Sequence, residues 1–215
     1  MNQYINSNVL ENGRLCTIPK PRQKSEIDGS RFHLIMQQVG LGIPVDGLLA
    51  TNPHLKEWVD AALPYTQIPG DKQWGIELCH EINDIYLIEN FDLIVCSDEK
   101  IIAVDWTIAK PQDFNLVKES WKTQLRLFLL HQTTGVPCKN VSLVYLFVNK
   151  NATFQCCYSD KQHEENKQKL AKILITNNDE QETNIIVEAR DLHNDWMAGK
   201  ISNKEYLDAI PEVTF

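Results

Sequence analysis

Two rhythms of apolar and polar positions run along this chain. Short β-rich runs occupy 74–82, 85–88, 91–96, 101–106, 141–148 and 153–158. Runs of this length bounded by turn formers predict strands. Asn83-Asp84, the tetrad Ser97-Asp98-Glu99-Lys100 and Asn149-Lys150-Asn151 supply the turns. Glu89-Asn90 interrupts the second run, which suggests a bulge that aims Asp92. Spacings of three and four predict helices elsewhere. One covers 30–38, capped by Ser30 and stopped by Gly40, Gly42 and Pro44. A second opens at Asn52-Pro53 and ends before Pro64, and a long one runs from Phe114 to Gln132 behind the cap Asp113. Another follows Ser159 or Asp160, with Leu170, Ile173 and Leu174 as its buried positions.

Strands mixed with helices on both sides predict an α/β domain with a mixed sheet flanked by helices. The long helix between Trp106 and Val141 is the natural crossover between two parallel strands. Three segments follow from the pattern. Residues 1–28, with Pro19 and Pro21, form a loop-rich entry. Residues 29–175 form the main domain. Residues 176–215 form an acidic loop and a helical C-terminal extension.

The hairpin 91–106 carries the chemistry. With the tetrad as its loop, Cys96 faces Ile101, and pairing backwards sets Asp92 opposite Asp105. Directly opposed side chains lie roughly 4.5–5.5 Å apart, so the two carboxylates repel. A protonated carboxyl, a nearby Lys or Arg, or a divalent cation would answer that repulsion. Acids at strand ends that simply face water are the plain alternative.

Composition narrows the classes. The 215 residues are 43% hydrophobic and 23% charged, ordinary for a soluble globular chain. No apolar stretch approaches the roughly 20 residues a membrane helix needs. The polar start, MNQYINSNVLENG, lacks a signal-peptide core, so a cytoplasmic location is expected. Six scattered cysteines without a CxxC pair argue against a structural zinc or an iron–sulfur cluster. The net charge of −8 disfavours a nucleic-acid partner, but it is unevenly spread. Residues 179–212 hold nine acids and three bases, leaving 20 acids and 18 bases elsewhere. A locally positive groove on the main domain is compatible with that balance.

The order of elements and acids resembles the PD-(D/E)XK nuclease superfamily, specifically its RecB-like branch, and is similar to small cyanobacterial members. The pieces are GSRFH at 29–33, Glu77, FDLIV at 91–95, VDW at 104–106, and Gln124 to Phe128. The resemblance covers roughly residues 29–159. It implies a restriction-endonuclease-like fold and Mg²⁺-dependent hydrolysis of DNA, with Mn²⁺ as a substitute. By position it implies His33, Asp92, Asp105 and the Trp106 main-chain carbonyl as metal ligands. Glu77 is a further candidate, and Gln124 and Phe128 belong to the helix that positions the substrate strand.

Two residues depart from the family's pattern. The lysine expected two positions after the second Asp is Thr107, and the tyrosine four after Gln124 is Phe128. Lys110 is the nearest substitute lysine. Lys122 projects about 160° away from the Gln124 face at 100° per residue. The reading is therefore a metal-dependent DNA nuclease weakened by Thr107. The alternative is a catalytically inactive relative serving as a DNA-binding or protein-interaction module, for which the acidic tail suits a protein partner.

Overall fold

The structure is a computed structural model, and it describes residues 3–12, 24–83, 85–97, 99–110 and 113–174. The predicted acidic loop and C-terminal helices at 176–215 lie outside the described residues.

Six strands form one mixed sheet. They are β1 (Gln3–Ile5), β2 (Asp71–Ile82), β3 (Ile85–Cys96), β4 (Ile101–Thr107), β5 (Val141–Phe147) and β6 (Ala152–Cys157). The helices are α1 (Ser7–Asn12), α2 (Lys24–Gly40), α3 (Asp46–Ala50), α4 (Pro53–Thr66), α5 (Phe114–Glu119) and α6 (Trp121–Thr134). A seventh, α7, occupies 160–174. The mixed sheet flanked by helices matches the expected fold class. The segment before residue 29 differs from a plain loop: it contributes β1, α1 and the start of α2.

β3 is the organising strand. β2 pairs antiparallel with it along its whole length, from Asp71–Cys96 to Ile82–Ile85. The turn residue Asn83 has φ 51°, the left-handed geometry that tight hairpins demand. The other edge of β3 is shared. β1 runs parallel to Ile85–Leu87, and β4 antiparallel to Leu93–Cys96. Residues 88–92 of that edge therefore face a gap between two strands. β4 continues parallel to β5 through α5 and α6, and β6 closes the far edge antiparallel to β5. β5 is buried along its whole length, as expected for a strand covered on both faces.

Two layers cover the sheet. α2 and α4 bury Phe32, Ile35, Met36, Leu55 and Val59 against Leu93, Val95, Val104 and Trp106. α6 buries Leu127 and Leu130 against Phe91, Ile94, Ala103, Leu143 and Tyr145. Each such large side chain contributes about 1.5–3 kcal/mol over its exposed state. These contacts, rather than helix propensity, hold α2 and α6 in place.

The sides of β3 change at Asp92. Ile85, Leu87 and Phe91 pack with the α6 side, whereas Leu93 and Val95 pack with α2 and α4. The register does not slip: Ile76 pairs with Phe91 and Trp74 with Leu93. No residue is inserted, so the expected bulge at Glu89-Asn90 is absent. Gly75 falls opposite Asp92, with φ 56°. A Cβ there would lie 2.0 Å from the end of the Gln37 side chain, and the positive φ itself favours glycine.

The long helix expected over 114–132 is broken. Ser120 is extended (ψ 147°), and its side chain accepts from Thr123 N to cap α6. Asp113 caps α5 as predicted, accepting from Asn115 N at 2.8 Å.

Candidate active site

The site lies at the gap between β1 and β4, where side chains close what strands leave open. His33 comes from α2, Asp92 from β3, Asp105 from β4, and Lys122 and Arg126 from α6. Glu89 stands on β3 three residues before Asp92.

His33 Nδ1 lies 2.7 Å from Asp92 Oδ1. The other carboxylate oxygen, Asp92 Oδ2, accepts from the main-chain N–H of Trp106 at 3.0 Å. Asp92 and Asp105 are also within hydrogen-bond reach of each other. Asp105 Oδ1 lies 2.7 Å from Arg126 Nη1, and Asp105 Oδ2 lies 3.2 Å from Lys122 Nζ. The N–H bonds of Nη1 do not point along that contact, so charge holds it more than an aligned hydrogen bond.

Arg126 satisfies the gap itself. Its Nη2 donates to the Asn90 carbonyl at 2.8 Å, and its Nε to Glu89 Oε2 at 3.3 Å. The Ser7 main-chain N–H donates to Glu89 Oε1 at 2.7 Å, which ties α1 to the same network. The guanidinium also lies 5.5 Å from the centre of the Phe91 ring. Arg126, Asp105 and Glu89 are all buried, so each charge depends on the others.

The electrostatics follow from this packing. Burial, then the charge of Asp105, pushes the Asp92 carboxyl up to about 6, against the opposing hydrogen bond from His33. Asp105 moves the other way: burial alone would raise it, but Arg126 and Lys122 outweigh burial and hold it well below the usual carboxylate range. Burial lowers His33, yet the hydrogen bond and charge of Asp92 and the charge of Asp105 raise it on balance. The repulsion between the two acids is thus met by cations of the protein. The side chains of His33 and Lys122 are 40% and 47% exposed, so the cluster opens to solvent on their side.

His33, Asp92 and Asp105 therefore converge, with the Trp106 backbone beside them. The remaining expectations land elsewhere. Glu77 is exposed on β2, paired with Asn90, and Glu89 is the glutamate at the site. Lys110 is exposed in the loop after β4 and, among the described residues, makes no ion pair. Lys122 supplies the ammonium instead. Gln124 donates to the Glu119 carbonyl, and Phe128 is 1% exposed in the core, stacked on His163. Gln124 and Phe128 each sit two positions from Arg126, about 160° around the helix, so they face away from the acids. The i, i+4 pair that does face them is Lys122 and Arg126. A sequence signal for Arg126 existed: it stands alone within the apolar run Leu125–Leu130, where a buried cation needs a carboxylate.

The donor set can be tested against a divalent cation from this chemistry. Two carboxylates and an imidazole suit a hard or borderline cation. Both Asp92 oxygens are engaged, by His33 and by the Trp106 N–H, and the partner of Asp105 Oδ2 is the half-exposed Lys122. The inner oxygen of Asp105 belongs to Arg126 and is not available. A cation at this site would be held by Asp92, Asp105 Oδ2 and His33, in competition with Lys122, once the three side chains draw closer together than they stand.

No protein-family model matches this chain, and no curated protein matches it in sequence. Solved structures do match in shape. One, described as a "Putative exonuclease" from Eubacterium rectale, superposes with TM-score 0.50 at 11% identity, over 83% of each chain. A second, SSO0001, gives TM-score 0.39 at 14% identity, over 72% of this chain and 61% of that one. The first likeness supports a nuclease-like fold. No helix among the described residues is long and apolar enough to cross a membrane.

Proposed function

We propose that this chain is a metal-dependent DNA nuclease that hydrolyses phosphodiester bonds, with the PD-(D/E)XK resemblance as its family context. The observation that carries the reading is the convergence of His33, Asp92 and Asp105, with a lysine 3.2 Å from Asp105. Mg²⁺, or Mn²⁺ in its place, would supply Lewis-acid stabilisation of the phosphoryl oxygens and of an attacking water. Asp92 and Asp105 would hold it, and His33 would complete the set. Lys122 gives the positive charge that Thr107 cannot, placed to stabilise negative charge developing on phosphate. Arg126 keeps Asp105 ionised and fixed.

One observation favours the second reading, a catalytically inactive relative that binds DNA or a protein. Asp105 is already paired with Lys122 and Arg126, and Asp92 with His33, so each acid has a partner within the protein. Purified chain incubated with linear and single-stranded DNA and Mn²⁺ separates the two. Cleavage that disappears in Asp92→Asn supports the nuclease. DNA binding without cleavage supports the inactive module.

A further inference from the structure

A second cluster lies on the far side of α6 from the acids. His131 ends α6, Cys138 stands in the turn before β5, and His163 lies in the first turn of α7. One ligand atom from each lies within 4.8 Å of the other two. Tetrahedral nitrogen and sulfur ligands of Zn²⁺ stand roughly 3.3–3.8 Å apart, so a small inward movement would complete the geometry.

The hydrogen bonds around the cluster suit a metal. His131 Nδ1 lies 2.8 Å from the Val136 carbonyl. A carbonyl only accepts, so the proton is on Nδ1 and Nε2 carries the lone pair. This is the arrangement that fixes a ligating imidazole. His163 Nδ1 lies 3.2 Å from Tyr158 Oη, and its Nε2 lies 3.2 Å from Gln132 Nε2. Whichever nitrogen His163 offered would give up one of these contacts. Its ring stacks on Phe128 at 5.3 Å and stands edge-on to His131 at 4.5 Å, which fixes its plane. Cys138 is 2% exposed. Burial, then the hydrogen bond and charge of Asp160, push its thiol up to about 11.

We infer that His131, Cys138 and His163 form a three-residue site for a Zn²⁺-class cation, with the fourth position left to water. A mixed nitrogen–thiolate set selects such a cation over Mg²⁺, which prefers oxygen. The site staples the end of α6 and the turn into β5, seven residues on, to the start of α7. Metal entry displaces the Cys138 proton to solvent, so binding strengthens as pH rises. The absence of a CxxC pair hides the site from the sequence, because its ligands meet only through the packing of α6 against α7.

The test uses the full chain with Co²⁺ and Zn²⁺ alone. One equivalent of Co²⁺ is expected to give a thiolate charge-transfer band and tetrahedral visible absorption, both displaced by Zn²⁺, and Zn²⁺ should raise Tm. Cys138→Ser should abolish the charge-transfer band. His131→Gln, which leaves the thiol in place, should lose the tetrahedral visible bands. Asp92→Asn should keep every signal, which separates this site from the nuclease reading. Co²⁺ that binds the wild-type chain without a charge-transfer band, or a Zn²⁺-induced Tm rise unchanged in His131→Gln, would overturn the inference.

Discussion

Lys122 Nζ stands 3.2 Å from Asp105 Oδ2, although the two belong to different elements, 17 residues apart. The ammonium beside Asp105 thus comes from α6, whereas the position two residues after Asp105 is Thr107. Thr107 itself is occupied locally, with its hydroxyl accepting from the Ala109 main chain at 3.1 Å.

If Lys122 takes that role, Lys122→Met should lower Mn²⁺-dependent DNA cleavage by about 10²–10³-fold, the usual cost of one charge-stabilising donor. Lys110→Ala should leave cleavage unchanged. Steady-state cleavage rates on the same DNA check both. Loss on Lys110→Ala with retention in Lys122→Met would reverse the assignment.

Arg126 is worth more to the fold than its position in a surface-docked helix suggests. Arg126→Met leaves Asp105 and Glu89 buried without their cation, and should destabilise the chain by about 3–5 kcal/mol. Adding Glu89→Gln should recover part of that loss, since one buried charge is removed. Denaturant unfolding of the single and double variants measures the coupling.

Phe128 looks from the sequence like a tyrosine that has lost its hydroxyl. The structure buries it with Leu125, Leu129, Leu170 and Leu174, facing away from the acids. Phe128→Tyr should therefore give no gain in cleavage. It should cost about 1–3 kcal/mol of stability unless the new hydroxyl finds a partner. Activity and Tm of this variant decide between the two views.

The pH response follows from the acids. Asp92 is raised from 3.8 to about 6, so the folded chain holds its proton more tightly than the unfolded one. Between those values stability falls as pH rises, because the native carboxyl must ionise in a buried place and beside Asp105. His33 is raised above 6.5, so its contribution is present below that value and is lost as pH rises through the native pKa. A divalent cation relieves both losses. The Mn²⁺-induced rise in Tm should be larger at about pH 7.5 than at about pH 5.5, and absent in Asp92→Asn. Thermal unfolding at the two pH values checks it.

Much of the frame is legible in the residues because local rules set it. The period-two pattern and the four-residue turn give Cys96 opposite Ile101, as the register shows. Asn83 marks the β2–β3 turn, and Asp113 caps its helix. Those same rules bring Asp92 beside Asp105. The face of α6 is different in kind. Two stripes were available, and the aromatic one, with Gln124 and Phe128, resembles a motif. Both stripes pack on the sheet, Phe128 with Ile85, Leu87 and His80 and Leu127 with Ala103 and Leu143, and tertiary packing decides that Lys122 and Arg126 face the acids. No local pattern records that choice. The change of side at Asp92 is likewise not written in β3 alone, since Gly75, with φ 56°, stands across the ladder from it. β1 and α1 are too short to show a period, and they are held by Ile5, Val9 and Leu10 in the α6-side core.

The central claim is that His33, Asp92 and Asp105 jointly hold one cation for phosphodiester hydrolysis. The most direct measurement is Mn²⁺-dependent cleavage of linear DNA by the wild-type chain and by His33→Gln and Asp92→Asn, each first shown to unfold like wild type. Cleavage by wild type alone is the predicted result. Equal cleavage by all three proteins would contradict the account.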